Sequence, residues 1–372
     1  MMDLVPQIFD SDHKAVIAVT GGGSGALSRL LTTPGASSLV LEAVVPYAQT
    51  ALAEWLGRAP EQACCDKTAR QMAMASWLRA RALADDESEE SLIGVGCTAS
   101  LATTRPKRGE HRLHVAAQTS QRTLCLSLLL EKGARSRQEE EAVAEHAVLA
   151  VLGDASGVKR IDLSKTPDGI EASLAEQQAP TEWTELLLDK RQSVGANLPD
   201  AELSACVFVS GSFDPLHHGH EEIARIASEI SGRPAVFEVA LTNADKPPLD
   251  FIELQQRLES LGNRPTLLTT APTFVEKARL APGGWFAVGA DTVERIAEPK
   301  FYPKGEEGLF AAIEELGGLG CRFLVFGREI GGVFKTLSEI DLPEPLARLC
   351  DGVPENQFRE DISSTELRED ES

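Results

Sequence analysis

Apolar positions fall along this 372-residue chain in two rhythms. Short unbroken apolar runs bounded by turn residues predict buried strands at 14–20, 38–45, 92–98, 206–210, 235–242, 266–270, 285–289 and 322–326. Two longer runs, 111–119 and 122–131, face each other across a tight connection and predict a β-hairpin. A 3.6-residue period predicts helices at 26–31, 50–56, 67–83, 138–152, 182–190, 221–230 and 251–261. In the fourth of these the apolar face is Ala142, Val143, Val148, Leu149 and Leu152; in the sixth it is Ile223, Ile226, Ala227 and Ile230. Strands alternating with helices after residue 201 predict a parallel, doubly wound α/β sheet. Residues 153–200 are polar and rich in Ser, Pro, Gly and Gln, which reads as a linker. The expected organisation is therefore an α/β domain over 1–152, a linker over 153–200 and a second α/β domain over 201–372.

Composition narrows the class. Hydrophobic residues make up 42% and charged residues 25%, the balance of a globular protein with ordinary cores. A net charge of -21 disfavours nucleic acid or an anionic membrane as partner, although a local pocket can still be positive. The longest apolar runs, such as 124–130, are too short to span a bilayer. The first residues have no apolar targeting segment, and seven Cys without metal-ligand or secreted-framework spacing suggest a reduced, cytoplasmic chain. A homo-oligomer stays open.

The chemistry concentrates in VFVSGSFDPLHHGH, residues 207–220. A strand runs into Gly211, Ser212 and Phe213, and a His-rich tetrad opens a helix. Unpaired N–H groups and the positive end of the helix dipole would point at whatever the loop holds, which suits phosphate. His217 and His220 would both reach a triphosphate across the helix end, with Gly219 opening the first turn. Zinc is the competing occupant, but no Cys or further ligand nearby completes a usual set. Near the other end, Ile362 to Arg368 reads ISSTELR. Ser363 and Glu366 have capping-box spacing, Ser364 and Thr365 add hydroxyl donors, and Arg368 adds a cation, making a second anion site. Lys246 follows the strand at 235–242, at the strand end where open α/β sheets bind ligands.

These residues resemble the nucleotidyltransferases with an H-x-G-H motif. That superfamily includes the nicotinamide and nicotinate mononucleotide adenylyltransferases, phosphopantetheine adenylyltransferase and the cytidylyltransferases. ISSTELR is similar to the block that closes the mononucleotide adenylyltransferases, and Gly289-Ala290-Asp291 to one beside their nucleotide. The resemblance implies a Rossmann-like domain and nucleotidyl transfer from ATP, with Mg²⁺ carried on the nucleotide and no metal held by a dedicated protein cage. It implies His217 and His220 as catalytic residues. Gly211, Ser212, Phe213, Gly219, Gly289, Asp291, Arg328, Ser363, Ser364, Thr365 and Arg368 would bind the nucleotide, and Lys246 the acceptor phosphate. Nicotinamide or nicotinate mononucleotide is the expected acceptor. Transfer to another phosphometabolite such as phosphopantetheine, with adenylyl or cytidylyl as the group moved, and a non-catalytic nucleotide-binding regulator are the alternatives.

The first domain carries a glycine loop after its first strand, Thr20-Gly21-Gly22, with Tyr47 following the second. The order of segments resembles the C-terminal domain of the CinA family, which includes nicotinamide mononucleotide deamidases. The likeness implies a CinA-like α/β fold over about 15–152. The family's serine falls on Ala18 and its lysine on Leu52. Lacking an activated nucleophile and a cation, the domain is expected to keep a vestigial site at Thr20, Gly21, Gly22 and Tyr47 without amidase activity.

Overall fold

The computed structural model describes residues 4–84, 88–104, 108–242, 247–330 and 333–359. They form two compact units: the first takes the chain up to Leu188 together with the described part of Asp245–Gln255, and the second takes the rest.

Six strands build the first unit: Lys14–Thr20 (β1), Val40–Val44 (β2), Leu92–Ser100 (β3), His111–Gln118 (β4), Arg122–Leu130 (β5) and Ile170–Gln178 (β6). Their order is β2-β1-β3-β4-β5-β6, parallel across β2, β1 and β3 and antiparallel from β3 to β6. Side chains alternate between the two faces, as a pleated strand requires. Ile17, Val19, Ile93, Val95, Val115 and Leu126 pack under helices Leu4–Phe9 (α1), Ser24–Thr32 (α2) and Arg137–Ala155 (α5). The opposite face meets Gln49–Leu56 (α3) and Asp66–Leu83 (α4), with Ala18, Leu52, Leu56 and Met72 in one cluster and Ala69, Ala73, Ala116 and Cys125 in another. Helix α4 lies so close to β3 that a Cβ on Gly94 would stand 2.1 Å from the carbonyl oxygen of Ala73.

The linker expected at 153–200 is not one. Helix α5 continues to Ala155, β6 pairs with β5 over nine residues, and Thr181–Leu187 (α6) buries Trp183, Leu186 and Leu187. The reason is that β6 is an edge strand. Ile170, Ala172 and Leu174 pack on the core while Glu171 and Ser173 face water, so its sequence reads as polar. The boundary between the units falls after Leu188.

Residues 249–254 are also buried in the first unit. The Asp250 carboxylate accepts from Arg70 Nε at 3.1 Å and, through its other oxygen, from the N–H groups of Ile252 and Glu253. Phe251 donates its N–H to Thr123 Oγ1 at 3.0 Å, and its ring stacks on Trp183.

The second unit is a seven-stranded sheet: Ser193–Ala196 (β7), Val207–Ser210 (β8), Ala235–Ala240 (β9), Thr266–Thr269 (β10), Trp285–Gly289 (β11), Arg322–Phe326 (β12) and, after the small hairpin Arg328–Ile330 (β13) and Val333–Lys335 (β14), Cys350–Gly352 (β15). The order is β15-β12-β11-β8-β9-β10-β7, parallel except for β7. That antiparallel edge strand is the one departure from the expected all-parallel sheet; it comes from the segment read as linker. Helices His218–Ser231 (α7), Phe251–Leu261 (α8), Phe274–Leu280 (α9), Ala290–Ile296 (α10), Glu306–Gly318 (α11) and Glu344–Ala347 (α12) connect the strands. Phe208, Phe286, Phe323 and Phe274 stack into the core at centroid distances of 5.5–5.9 Å. The chain runs from β8 outward through β9 to β10, then returns to β11 on the other side of β8. The reversal lies between β8 and β11, and open α/β sheets bind ligands at the carboxyl ends of such a strand pair.

Candidate active site

The expected catalytic residues sit at that reversal. Strand β8 ends at Ser210, and α7 begins at His218 with His217 as its N-cap residue, one position earlier than the expected opening at Gly219. His217 and His220 face each other with ring centroids 3.8 Å apart. The His217 N–H donates to His220 Nδ1 at 3.3 Å. With Nδ1 accepting, neutral His220 carries its proton on Nε2 and presents a donor. Burial first, then the neighbouring His217 and Arg328, push the imidazole down to about 3. His220 is therefore neutral near pH 7, a hydrogen-bond donor rather than a cation.

This has a measurable consequence. A histidine in the unfolded chain titrates near 6.5. As pH falls below that value the unfolded state takes the proton first, so His220 costs stability progressively from about 6.5 down to about 3. Its ring resonances in the ligand-free protein are expected to stay in place between pH 8 and 5; a midpoint near 6.5 would contradict the geometry.

Gly289, Asp291 and Arg328 come together at the ends of β11 and β12. A Cβ on Gly289 would stand 2.4 Å from Asp291 Oδ1 and 3.1 Å from Arg328 Cγ, so a larger residue there would displace the Asp291 carboxylate. Arg328 Nε is 4.0 Å from Asp291 Oδ1, and Arg328 also acts on His220. Ser212 is exposed in the loop, whereas Gly219 is buried in the first turn of α7.

Phe213 corrects one expectation. Its ring, 1% exposed, is packed edge-on against Phe237 and His220 and folds back over Gly211. The side chain shapes the loop from beneath and offers the nucleotide no surface. Sequence reading also missed Asp214 and Arg257, whose charged ends lie 3.9 Å apart. Lys246, Ser363, Ser364, Thr365 and Arg368 lie outside the described residues. Phe358, five positions before Ser363, packs on Phe326 at the carboxyl end of β12. Among the described residues no group of three or more His, Cys, Asp or Glu side chains is placed to hold a metal ion.

The first unit gathers its own expected site. Thr20, Gly21, Tyr47 and Leu52 line a cavity of about 330 Å³ together with Ser100 and Arg137. Gly22 does not line it and lies against Leu101 and Ala99. Gly21 holds a left-handed φ of 74° with the Ala99 carbonyl where a Cβ would be. Arg137, which sequence reading placed nowhere, donates to the Gly21 carbonyl at 3.1 Å and pairs with the Glu141 carboxylate, also at 3.1 Å. Ala18 is fully buried in an apolar cluster with Leu52.

Among known proteins, solved structures of competence or damage-inducible proteins are similar to this chain. The protein from Enterobacter asburiae is 17% identical, covering 42% of this chain and 96% of its own, at a TM-score of 0.34. The CinA superfamily protein from Escherichia coli is 16% identical, covering 40% and 86%, at 0.33. The protein from Agrobacterium tumefaciens is 19% identical, covering 42% and 93%, also at 0.33. No curated protein matches. No helix among the described residues is long and apolar enough to cross a membrane. Residues 208–370, which begin inside β8 and contain both histidines, match the cytidylyltransferase-like family, so the C-terminal part of the chain is a nucleotidyltransferase domain.

Proposed function

We propose that the protein transfers an adenylyl group from ATP to a phosphorylated acceptor, most simply nicotinamide or nicotinate mononucleotide, in the cytoplasm. The observation that carries this is the stacked His217–His220 pair at the N-terminal end of α7, at the point where the strand order reverses. An oxygen of the acceptor phosphate attacks the α-phosphorus in line. The bond to the bridging oxygen breaks, and pyrophosphate leaves with the electron pair. No side-chain nucleophile is needed; the protein orients two phosphates and stabilises the charge that builds on their oxygens. The Nε2 proton of neutral His220 and the positive end of the α7 dipole serve that purpose, with the Arg328 cation beside them. Mg²⁺ carried on the triphosphate would neutralise part of its charge. The exposed Asp291 carboxylate suits a cation that keeps most of its waters. In this reading ISSTELR takes the β/γ end of the triphosphate and Lys246 the acceptor phosphate.

The name of the matched family favours one second reading, with CTP as donor. Pyrophosphate release from ATP and from CTP, each with a panel of phosphorylated acceptors, separates the two and identifies the acceptor. Release with none of them would overturn both.

For the first unit we propose ligand binding without hydrolysis. Its cavity is lined by the Arg137 guanidinium, paired with Glu141, and by the Thr20 and Ser100 side chains, but the buried Ala18 provides no nucleophilic oxygen. The full chain is expected to release no ammonia from nicotinamide mononucleotide. Release at an enzyme-like rate, abolished by Thr20→Ala, would contradict this.

A further inference from the structure

Phe213 holds a backbone conformation that needs an explanation. Its φ is +46°, in the left-handed region that bulky residues avoid. Such a residue persists only where its surroundings over-determine it. One constraint is packing: the ring stands 5.3 Å from Phe237 and 5.0 Å from His220, edge-on to both. The other comes from the next residue. Asp214 faces the guanidinium of Arg257, with Nη2 to Oδ2 at 3.9 Å. Arg257 is 6% exposed, on the half of α8 that belongs to the second unit, while the Asp214 side chain is one-third exposed. A guanidinium so deeply buried attracts a facing carboxylate strongly, because little water screens the pair. The loop is therefore held at two adjacent positions, one apolar and one charged, immediately before the histidines.

We propose that Arg257 is a positioning residue for nucleotidyl transfer: through Asp214 it pins the signature loop, keeps the Phe213 ring against His220, and so holds His220 where the phosphates pass. This rests on reading the site as a nucleotidyl-transfer centre. In this role Arg257 acts through Asp214 rather than on a phosphate directly. Its loss should slow the chemical step more than it weakens nucleotide binding, because small misplacements of a catalytic group are costly.

The test combines kinetics with a readout that needs no turnover. In Arg257→Met, kcat is expected to fall about 30-fold or more while the nucleotide KM moves less than about threefold; Arg257→Lys, which keeps the charge, should recover most of the loss. By NMR, the His220 ring in Arg257→Met should titrate at least about one unit higher than in the unaltered protein, as the Phe213 ring withdraws and water reaches the imidazole. His217 and Arg328 also face His220 and are left in place. If Arg257→Met does not fold, Asp214→Asn, at the more exposed partner, is read in the same way. A folded Arg257→Met with unchanged kcat and unchanged His220 titration would overturn the proposal. A rise in KM that Lys rescues, without a change in kcat, would also overturn it by making Arg257 a direct phosphate contact. If the unaltered protein transfers no nucleotide at all, the functional reading fails, and the His220 titration alone decides the positioning role.

Discussion

Replacing His220 by alanine is expected to lower the rate of nucleotidyl transfer by about 10²- to 10³-fold, the scale for losing one preorganised donor at developing charge. The expectation comes from the geometry around the ring. Nδ1 is occupied by the His217 N–H, which leaves the proton on Nε2, and burial keeps the imidazole neutral well below pH 7. A neutral donor needs no counter-ion, so kcat/KM, which reports ionisations of the free enzyme, should show no acid limb from this group near 6.5. His220→Gln keeps an amide donor at similar reach and should recover part of the loss. Steady-state kinetics with circular dichroism as the folding control checks this. A folded His220→Ala with turnover within threefold of the parent would remove His220 from the chemistry.

The second large effect is on stability. Asp250→Ala is expected to cost the first unit about 3–5 kcal/mol, the range for breaking a buried ion pair from one side. Asp250 is 1% exposed and Arg70 4%, so among the described residues the change leaves the buried guanidinium with the exposed Asp66 as its ion-pair partner. It also strips two N–H groups of their cap at the start of α8. Burial pushes the Asp250 carboxyl up and Arg70 pulls it back, so the charge persists there only with its partner in place. Asp250→Asn keeps an acceptor for the cap and should cost clearly less. Urea unfolding followed at Trp183, which stacks on Phe251, measures both variants. A loss below about 1 kcal/mol in Asp250→Ala would show that the pair is dispensable.

How much of this was legible in the sequence depended on how locally each feature is encoded. The strand, loop and helix around 207–230 are written in adjacent residues: an apolar run, glycine and turn residues, then a 3.6-residue period. The switch from one rhythm to the other placed the histidines correctly. β6 escaped because an edge strand needs only one apolar face, and IEASLAEQQ averages to a polar string although Ile170, Ala172 and Leu174 alternate as a strand should. The left-handed Phe213 could not be read, because phenylalanine carries no propensity for that conformation and it is held by distant partners, Phe237 against its ring and Arg257 facing the next residue. Arg137 and Arg257 escaped for a different reason. Arg137 meets Gly21 across 116 positions, and Arg257 looks from its own segment like any polar residue on an amphipathic helix. Asp250 begins a helix in a way the sequence shows, but the burial of that helix start beside Arg70 is a long-range fact. In the first unit, the substitution of apolar Ala18 and Leu52 at two polar positions of the resembling family was legible, and the structure puts both in one buried apolar cluster.

The central claim is that the His217–His220 site moves a nucleotidyl group onto a phosphate. Incubating the full chain with α-³²P-labelled ATP, Mg²⁺ and nicotinamide or nicotinate mononucleotide tests it most directly. The account predicts label in a dinucleotide joined through a pyrophosphate bridge, released with one equivalent of unlabelled pyrophosphate, and lost in His220→Ala. Label that stays in ATP, or that leaves as AMP or ADP whichever mononucleotide is present, would contradict it.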